Sequence, residues 1–387
     1  MKLFQRLLVA PAALGLISPI AANATEVNLN EIENYSNSEN IEFVNSFDDN
    51  DLNKTPLLAG GEGLVDKDSY DGGFSETTTA AFSVDFAIGA VDGKGIQTGV
   101  TDGDETLQAT YGFQIDLSTS FTGEDSLDIS LDAGNAGAAL GELDLTGGST
   151  DTLTVDGVSY TFPLGSATAF VGDNTDGSLL FTTACVYGGP SNTLDDCGNV
   201  NAAFVGSGTT FAASYDFDNG FTTAFGYAGA GDSTAGLMTQ EGADSYGGNV
   251  AYTADTYGVS VTYAMTEDAN GVDDTYTALN AYWTPDGFPS ISAGYEWGDD
   301  GSAASTADEK TSYFVGVQSD FGPGTIGAAL GTKTPTVEGS SELLMYEAFY
   351  SYDINDGMTI TPLVYVKEFA TGTDDETGVM VKTSFSF

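Results

Sequence analysis

The sequence predicts an all-β chain: a transmembrane antiparallel β-barrel of about 16 strands, 16 to 18 by pattern, behind a short polar N-terminal segment. Three observations carry that expectation. Apolar residues alternate with small or polar ones over most of the chain, so each segment has one greasy face and one polar face. Counted back from the C-terminus, connections alternate between tight turns and long acidic stretches. The last strand ends the chain on phenylalanine. Composition agrees: 50 Gly, 23 Phe and 19 Tyr among 387 residues favour β structure.

Residues 1–24 read as a secretory signal. Lys2 and Arg6 form the basic start, Leu7 to Ala22 is the apolar run, and Ala22-Asn23-Ala24 is a small-x-small site cleaved after Ala24. The run is short and broken by Pro11 and Pro19, which argues against an anchoring helix. Cleavage removes two cations and moves the net charge from −48 to −50, leaving no arginine. No later stretch offers the roughly 18 apolar residues of a membrane helix, so a membrane must be crossed by strands. Residues 25–72 are rich in Asn, Glu, Asp and Ser, as in Asn34-Tyr35-Ser36-Asn37-Ser38-Glu39-Asn40, and show no sustained period. They read as a solvated, largely disordered periplasmic segment. The barrel is expected over 73–387.

The strands follow in order. Phe82, Val84, Phe86 and Ile88 alternate with Ser83, Asp85, Ala87 and Gly89; Tyr111, Phe113, Ile115 and Leu117 alternate with Gly112, Gln114, Asp116 and Ser118. Leu127, Ile129 and Leu131 interleave with Asp128, Ser130 and Asp132. Further on, Tyr246 to Ala254 turns at Asp255-Thr256 into Tyr257, Val259, Val261, Tyr263 and Met265. The stretch 138–165 is ambiguous: short segments surround Leu143, Leu153, Tyr160 and Phe162, with a tight turn expected at Asp156-Gly157. A pair of these segments is a candidate to fold inward rather than join the wall.

Alternation alone fits a two-sheet sandwich as well as a barrel. The connections separate the two. Tight ones are Asn355-Asp356-Gly357, Gly322-Pro323-Gly324, Thr284 to Pro289, Asp255-Thr256 and Asp218-Asn219-Gly220; long ones are 368–376, 333–342, 298–310, 266–274 and 228–245. Short periplasmic turns against long external loops are the asymmetry of a bacterial outer-membrane barrel, and a sandwich has no reason to sort its loops this way. Aromatics near strand ends (Trp283, Tyr295, Trp297, Tyr313, Phe321, Tyr350, Tyr352) fit interfacial girdles. In the terminal strand Val379, Val381, Thr383, Phe385 and Phe387 share one face, and Phe385 with Phe387 form the candidate C-terminal assembly signal.

Placing the apolar series on lipid assigns the other parity to the lumen, since a charge facing mid-bilayer costs about 2–4 kcal/mol for a base and less for an acid. The pore-lining candidates are Asp85, Asp116, Asp128, Asp132, Asp216, Glu296, Asp320, Glu347 and Asp353, with Lys333, Lys367 and Lys382. Acidic walls and mouths favour cations. Cys185 and Cys197 lie in the longest connection, about 173–208, and in an oxidising compartment they are a disulfide candidate. Such a stapled loop could narrow the barrel or only stiffen an external cap. Sequence leaves both open.

Charge and composition also exclude. With 57 acids against 9 bases, the chain repels phosphate backbones and takes no nucleic acid as partner. Without histidine there is no Ser-His-Asp or Cys-His catalysis and no His-ligated metal, and an enzyme is not expected. No cofactor is expected. The acidic runs Asp102-Gly103-Asp104-Glu105 and Asp173-Asn174-Thr175-Asp176-Gly177 match no complete calcium loop, so at most weak surface binding of divalent cations is expected.

Three blocks carry a family resemblance. They are Val381-Lys382-Thr383-Ser384-Phe385-Ser386-Phe387; Tyr282-Trp283-Thr284-Pro285 through Phe288-Pro289-Ser290-Ile291-Ser292-Ala293-Gly294-Tyr295; and Phe314-Val315-Gly316-Val317-Gln318 followed by Gly327-Ala328-Ala329-Leu330-Gly331. Together with Asp71-Gly72-Gly73-Phe74-Ser75-Glu76-Thr77 they resemble the cyanobacterial outer-membrane porins related to the carbohydrate-selective porin (OprB-like) family. The resemblance implies a 16-stranded barrel, a homotrimer, passing small solutes and ions across a cyanobacterial outer membrane. Family members usually carry a surface-layer-homology domain and a coiled coil before the barrel, and residues 25–72 are too short for both. The expected function is passive diffusion of small hydrophilic solutes and ions with mild cation preference. Expected partners are outer-membrane lipid, those solutes and ions, and the barrel-assembly machinery. The alternatives are a substrate-selective uptake channel, for carbohydrate or an iron-related solute, and a secreted structural or adhesive β protein.

Overall fold

The computed structural model describes residues 78–92, 106–135, 140–143, 145, 151–239, 242–267, 271–301, 309–369 and 374–387. The secretory signal ending at Ala24, the segment 25–72 and the acidic run 102–105 lie outside these residues. The described residues hold seventeen strands and no helix longer than a turn. In chain order they are β1 (Thr78–Asp92), β2 (Gln108–Thr119), β3 (Ser126–Gly134), β4 (Thr154–Leu164), β5 (Ala167–Asp176), β6 (Ser207–Asp216), β7 (Phe221–Gly229), β8 (Asp244–Thr253) and β9 (Tyr257–Glu267). Then come β10 (Asp273–Trp283), β11 (Ser290–Asp300), β12 (Glu309–Phe321), β13 (Gly324–Thr332), β14 (Thr336–Val337), β15 (Leu344–Asn355), β16 (Met358–Lys367) and β17 (Glu376–Ser386).

Each wall strand pairs antiparallel with the next, and β17 returns to β1 with Phe86 opposite Thr383, closing the sheet on itself. The two-residue β14 stands aside. It pairs only with Lys310 and Thr311 of β12, while β13 pairs directly with β15. The wall therefore has 16 strands, within the expected range. Closure removes the unpaired edges that an open sheet would expose.

Burial along the strands is inverted relative to a soluble sheet. On β9, Tyr257, Val259, Val261 and Tyr263 are exposed, whereas Ser260, Thr262 and Ala264 are buried. On β11, Tyr295 and Trp297 are exposed while Ser292 and Glu296 are buried. The greasy face points out and the small polar face points in, which a sandwich core would forbid. Tight turns follow β2, β4, β6, β8, β10, β12 and β15 at one end, and the connections at the other end are longer except after β9. There the expected long connection 266–274 shrinks to 268–272, shorter than 120–125 or 284–289, because β9 and β10 each extend into it. At Asp218-Asn219-Gly220 the backbone reverses through positive φ at Asp218 (58°) and Gly220 (87°), and a Cβ at Gly220 would sit 2.5 Å from the Thr253 carbonyl.

The stretch 138–165 differs from expectation. Tyr160 and Phe162 belong to β4, in the wall. Asp156-Gly157 is not a turn: both residues lie inside β4, where the pairing with β3 shifts register beside Ser130 and Leu131. The extra residue is absorbed as a bulge, a conformation that Gly accommodates as readily as a turn. The segment around Leu143 lies off the wall and packs inside it, and Leu153 stands just before β4.

One tight turn is pinned by a single carboxylate. Asp125 Oδ1 accepts hydrogen bonds from Ser120 Oγ (2.8 Å), Phe121 N (2.9 Å) and Thr122 N (2.8 Å), and Oδ2 accepts from the Tyr160 hydroxyl (2.6 Å) on β4. The Tyr160 hydroxyl foremost, and the turn donors, hold this carboxyl well below the usual carboxylate range. A folded-state pKa below the unfolded value of about 3.9 gives stability that is complete above pH ~4 and fades as pH falls towards the folded-state pKa. Asp125→Asn is therefore expected to lower the melting temperature of the refolded barrel at pH 7, by a gap that narrows below pH ~4. Thermal melts of both proteins across that range check it; a pH-independent gap would remove the ionised carboxylate from the account.

Candidate functional site

The long connection 177–206 between β5 and β6 lies inside the barrel. Its outgoing limb crosses the wall nearly as an added strand would. Thr182 N donates to Asn249 Oδ1 on β8 (3.0 Å), Ala184 N to Ser260 Oγ on β9 (2.9 Å), Val186 N to Ser292 Oγ on β11 (3.0 Å) and Gly188 N to Gln318 Oε1 on β12 (2.9 Å). In extended chain every second N–H points the same way, so residues 182, 184, 186 and 188 meet β8, β9, β11 and β12 in turn, passing over β10. Inward side chains replace the missing backbone ladder. Between these donors, the Tyr187 hydroxyl reaches Glu347 Oε1 on β15 at 2.7 Å.

The return limb is held from the wall. Asn280 Nδ2 on β10 donates to the Cys197 carbonyl (2.9 Å), and Asn199 Nδ2 donates to Thr262 Oγ1 (3.4 Å). Glu296 on β11 accepts from Asn201 N (2.8 Å), Asn201 Nδ2 (2.7 Å) and Ala202 N (2.8 Å). Gly294 lets the limb approach, since a Cβ there would collide with the Cys197 carbonyl. A Cys185–Cys197 disulfide ties the two limbs together.

A second segment from the β3–β4 connection, residues 140–143 with Leu145, packs against the first. Leu140, Leu143 and Leu145 join Tyr187 and Leu194 of the loop in one buried cluster with Phe314, Met345, Phe349, Leu363, Tyr365 and Met380 of the wall. An apolar core thus fills one side of the barrel interior. A second buried cluster joins Ala202 and Val205 of the loop to Ala264 on β9 and to Tyr276 and Ala278 on β10.

The candidate residues divide accordingly. Glu296 and Glu347 face inward but are 2% and 4% exposed, covered by the loop they hold. Asp85 is also buried, 3.6 Å from the Lys382 ammonium. Lys367 forms an ion pair with Glu142. Lys333 lies beyond the end of β13, its ammonium 3.1 Å from the centre of the Phe369 ring. Asp216, Asp320 and Asp353 sit near the tight-turn end; Asp216 accepts from Asp218 N (2.8 Å) and Asp353 from Thr359 Oγ1 (2.6 Å).

Asp116, Asp128 and Asp132 stay partly exposed on the inner face of β2 and β3. Asp116 accepts from Gln114 Nε2 (2.8 Å) and Ser130 Oγ (2.6 Å), Asp128 from Ser126 Oγ (2.8 Å), and Asp132 from Thr154 Oγ1. Among the described residues none of these three pairs with a lysine. They form an acidic, hydroxyl-lined stripe. Parity did not single out Glu142 or the loop's acceptors Asn249, Ser260, Ser292 and Gln318. The signal that could have found the acceptors is amide and hydroxyl side chains at lumenal parity on the neighbouring strands β8, β9, β11 and β12.

No family model and no curated protein matches the sequence. Solved structures do match by shape. OprB from Pseudomonas putida superposes with a TM-score of 0.60 at 11% identity, covering 80% of this chain and 94% of that one. The chain has a porin fold. An anion-selective porin from Comamonas acidovorans gives 0.54 at 15% identity (80% and 99% covered), and a mutant of the Rh. blastica porin gives 0.51 at 15% (80% and 100%). At such identities the shared porin fold says how the wall is built, and the lumenal chemistry must be read from this chain's own side chains.

Proposed function

We propose that the chain is an outer-membrane porin that lets small hydrophilic solutes and ions diffuse passively. The observation that carries this reading is the closed 16-stranded wall with its apolar face outward and a partly exposed acidic, hydroxyl-lined stripe inside. Such a cylinder is stable in a bilayer, where every backbone group must find its partner within the sheet. The reading brings with it export on a signal ending at Ala24, insertion through a terminal strand bearing Phe385 and Phe387, a cyanobacterial outer membrane and a homotrimeric assembly.

The fold leaves the sign of the ion preference open, since one of the structures of similar shape is described as anion-selective. Here Asp116, Asp128 and Asp132 line the uncovered wall, while Lys367 and Lys382 are each beside a carboxylate. Mild cation preference follows. Reversal potentials of the refolded protein under a KCl gradient should show K⁺ favoured several-fold near 0.1 M. The preference should approach unity near 1 M, as the screening length falls from about 10 Å to about 3 Å. Anion preference at low salt would overturn the assignment of these carboxylates to the water path.

A further inference from the structure

Glu142 stands where the two lumenal segments meet the wall. It is 7% exposed. Its Oε1 accepts from Thr193 N (3.1 Å), its carbonyl accepts from Asn192 N (2.9 Å), and its Oε2 pairs with the Lys367 ammonium on β16. Asn192 Nδ2 donates to the Gly141 carbonyl (3.0 Å), and Leu143 bridges to Ser191. The two segments are thus knitted into one unit, and Glu142–Lys367 is its charged tie to β16.

The surroundings make the tie directional. The apolar cluster that includes Leu140, Leu143, Leu194 and Leu363 favours contact but fixes no register, because burial is non-directional. A buried ion pair does fix one. Lys367 also lies opposite Glu376 in the β16–β17 register, and the Glu376 carboxylate accepts from the Tyr365 hydroxyl (2.8 Å). Lys367 therefore has an acid on the lumenal side and another on the wall. Among the described residues Glu142 has one cation. Loss of the lysine would leave the Glu142 carboxylate buried with a single amide donor, and the cheapest relief is for the segment to swing into water.

We infer that Glu142 is a positioning residue for the bore: its pairing with Lys367 holds both lumenal segments against β16 and so sets how much of the lumen stays open. The inference rests on the channel reading above. The cause of opening is an uncompensated charge, so removing both charges should close the bore again. That separates a latch from a merely structural contact, whose losses would add.

The test is single-channel conductance and neutral-polymer exclusion of refolded wild type, K367M, E142Q and E142Q/K367M in planar bilayers. K367M is expected to conduct roughly twofold more, with added substates and a larger polymer cut-off. E142Q, which leaves Lys367 facing Glu376, is expected to change less. The double variant should return most of the way to wild type. K367M indistinguishable from wild type, or a double variant at least as open as K367M, overturns the latch. If K367M fails to insert, recovery of insertion in E142Q/K367M supports it and failure of both overturns it. A silent wild-type protein would instead overturn the channel reading itself.

Discussion

Glu296→Ala is expected to release the return limb of the lumenal loop and enlarge the channel while leaving the barrel standing. The Glu296 carboxylate is buried and takes three donors, two from Asn201 and one from Ala202. Hydrogen bonds to a charged acceptor contribute about 1.5–3 kcal/mol each, and a buried donor left without a partner costs about 1–3 kcal/mol. Alanine removes the acceptor and strands all three donors, so the limb is favoured by several kcal/mol to leave the wall for water. The wall does not depend on this side chain: β11 keeps its backbone ladders to β10 and β12 from Ser290 to Asp300. The outgoing limb keeps its four bonds to β8, β9, β11 and β12 and its disulfide, so the loop loosens from one side only. Refolded E296A should therefore show the heat-modifiable mobility of wild type with a higher conductance, and E296Q, which keeps one acceptor oxygen, should fall between. Unchanged conductance and polymer cut-off in E296A would mean that the disulfide and Asn280 suffice to hold the limb.

That test falls on a residue whose side was legible and whose role was not. Parity placed Glu296 inward because Tyr295 and Trp297 flank it, and the same arithmetic worked for Glu347 beside Tyr346. Strand period reports only which face a side chain takes. What covers that face is decided by residues far away in sequence, as Asn201 is from Glu296 or Tyr187 from Glu347. The acceptors of the outgoing limb show the same difficulty. Asn249, Ser260, Ser292 and Gln318 lie on four strands and form a row only once the barrel's stagger is fixed. The wall was readable for the opposite reason: hairpin pairing is local, and Asp218-Asn219-Gly220 or Gly322-Pro323 announce their turns within a few residues. The same local signal misled at Asp156-Gly157, where a turn-type dipeptide serves a bulge inside β4. Leu140, Leu143 and Leu145 have no strand period because they pack from a connection.

Deleting Phe387 is expected to impair barrel closure more than any substitution of equal size elsewhere on the outer face. The wall's one seam between sequence-distant strands joins β17 to β1; the others are made by neighbours along the chain. Closing it orders the longest loop in the molecule, so its own contacts must offset the largest entropic cost. At its end Phe82 N donates to the Phe387 carbonyl (2.8 Å), Phe387 N donates to the Phe82 carbonyl (3.0 Å), and the two rings stack at 5.5 Å with 9° between planes. Phe385 adds an edge-on contact to Phe86 at 6.1 Å. Two hydrogen bonds at about 0.5–1.5 kcal/mol each and an aromatic pair at about 0.5–1.5 kcal/mol give a loss of roughly 2–4 kcal/mol. Unpaired Phe82 groups at the lipid boundary raise it further. Phe387→Ala keeps both backbone bonds and loses only the stack, so it should cost less than the deletion. Refolding into detergent micelles, read as the heat-modifiable fraction and the melting temperature, should rank wild type above F387A and F387A above the deletion. The fraction that does fold should conduct as wild type, because the seam's end lies away from the lumenal loop. A deletion that refolds and melts like wild type would place the closure energy higher along the seam, between Ser83 and Asp92.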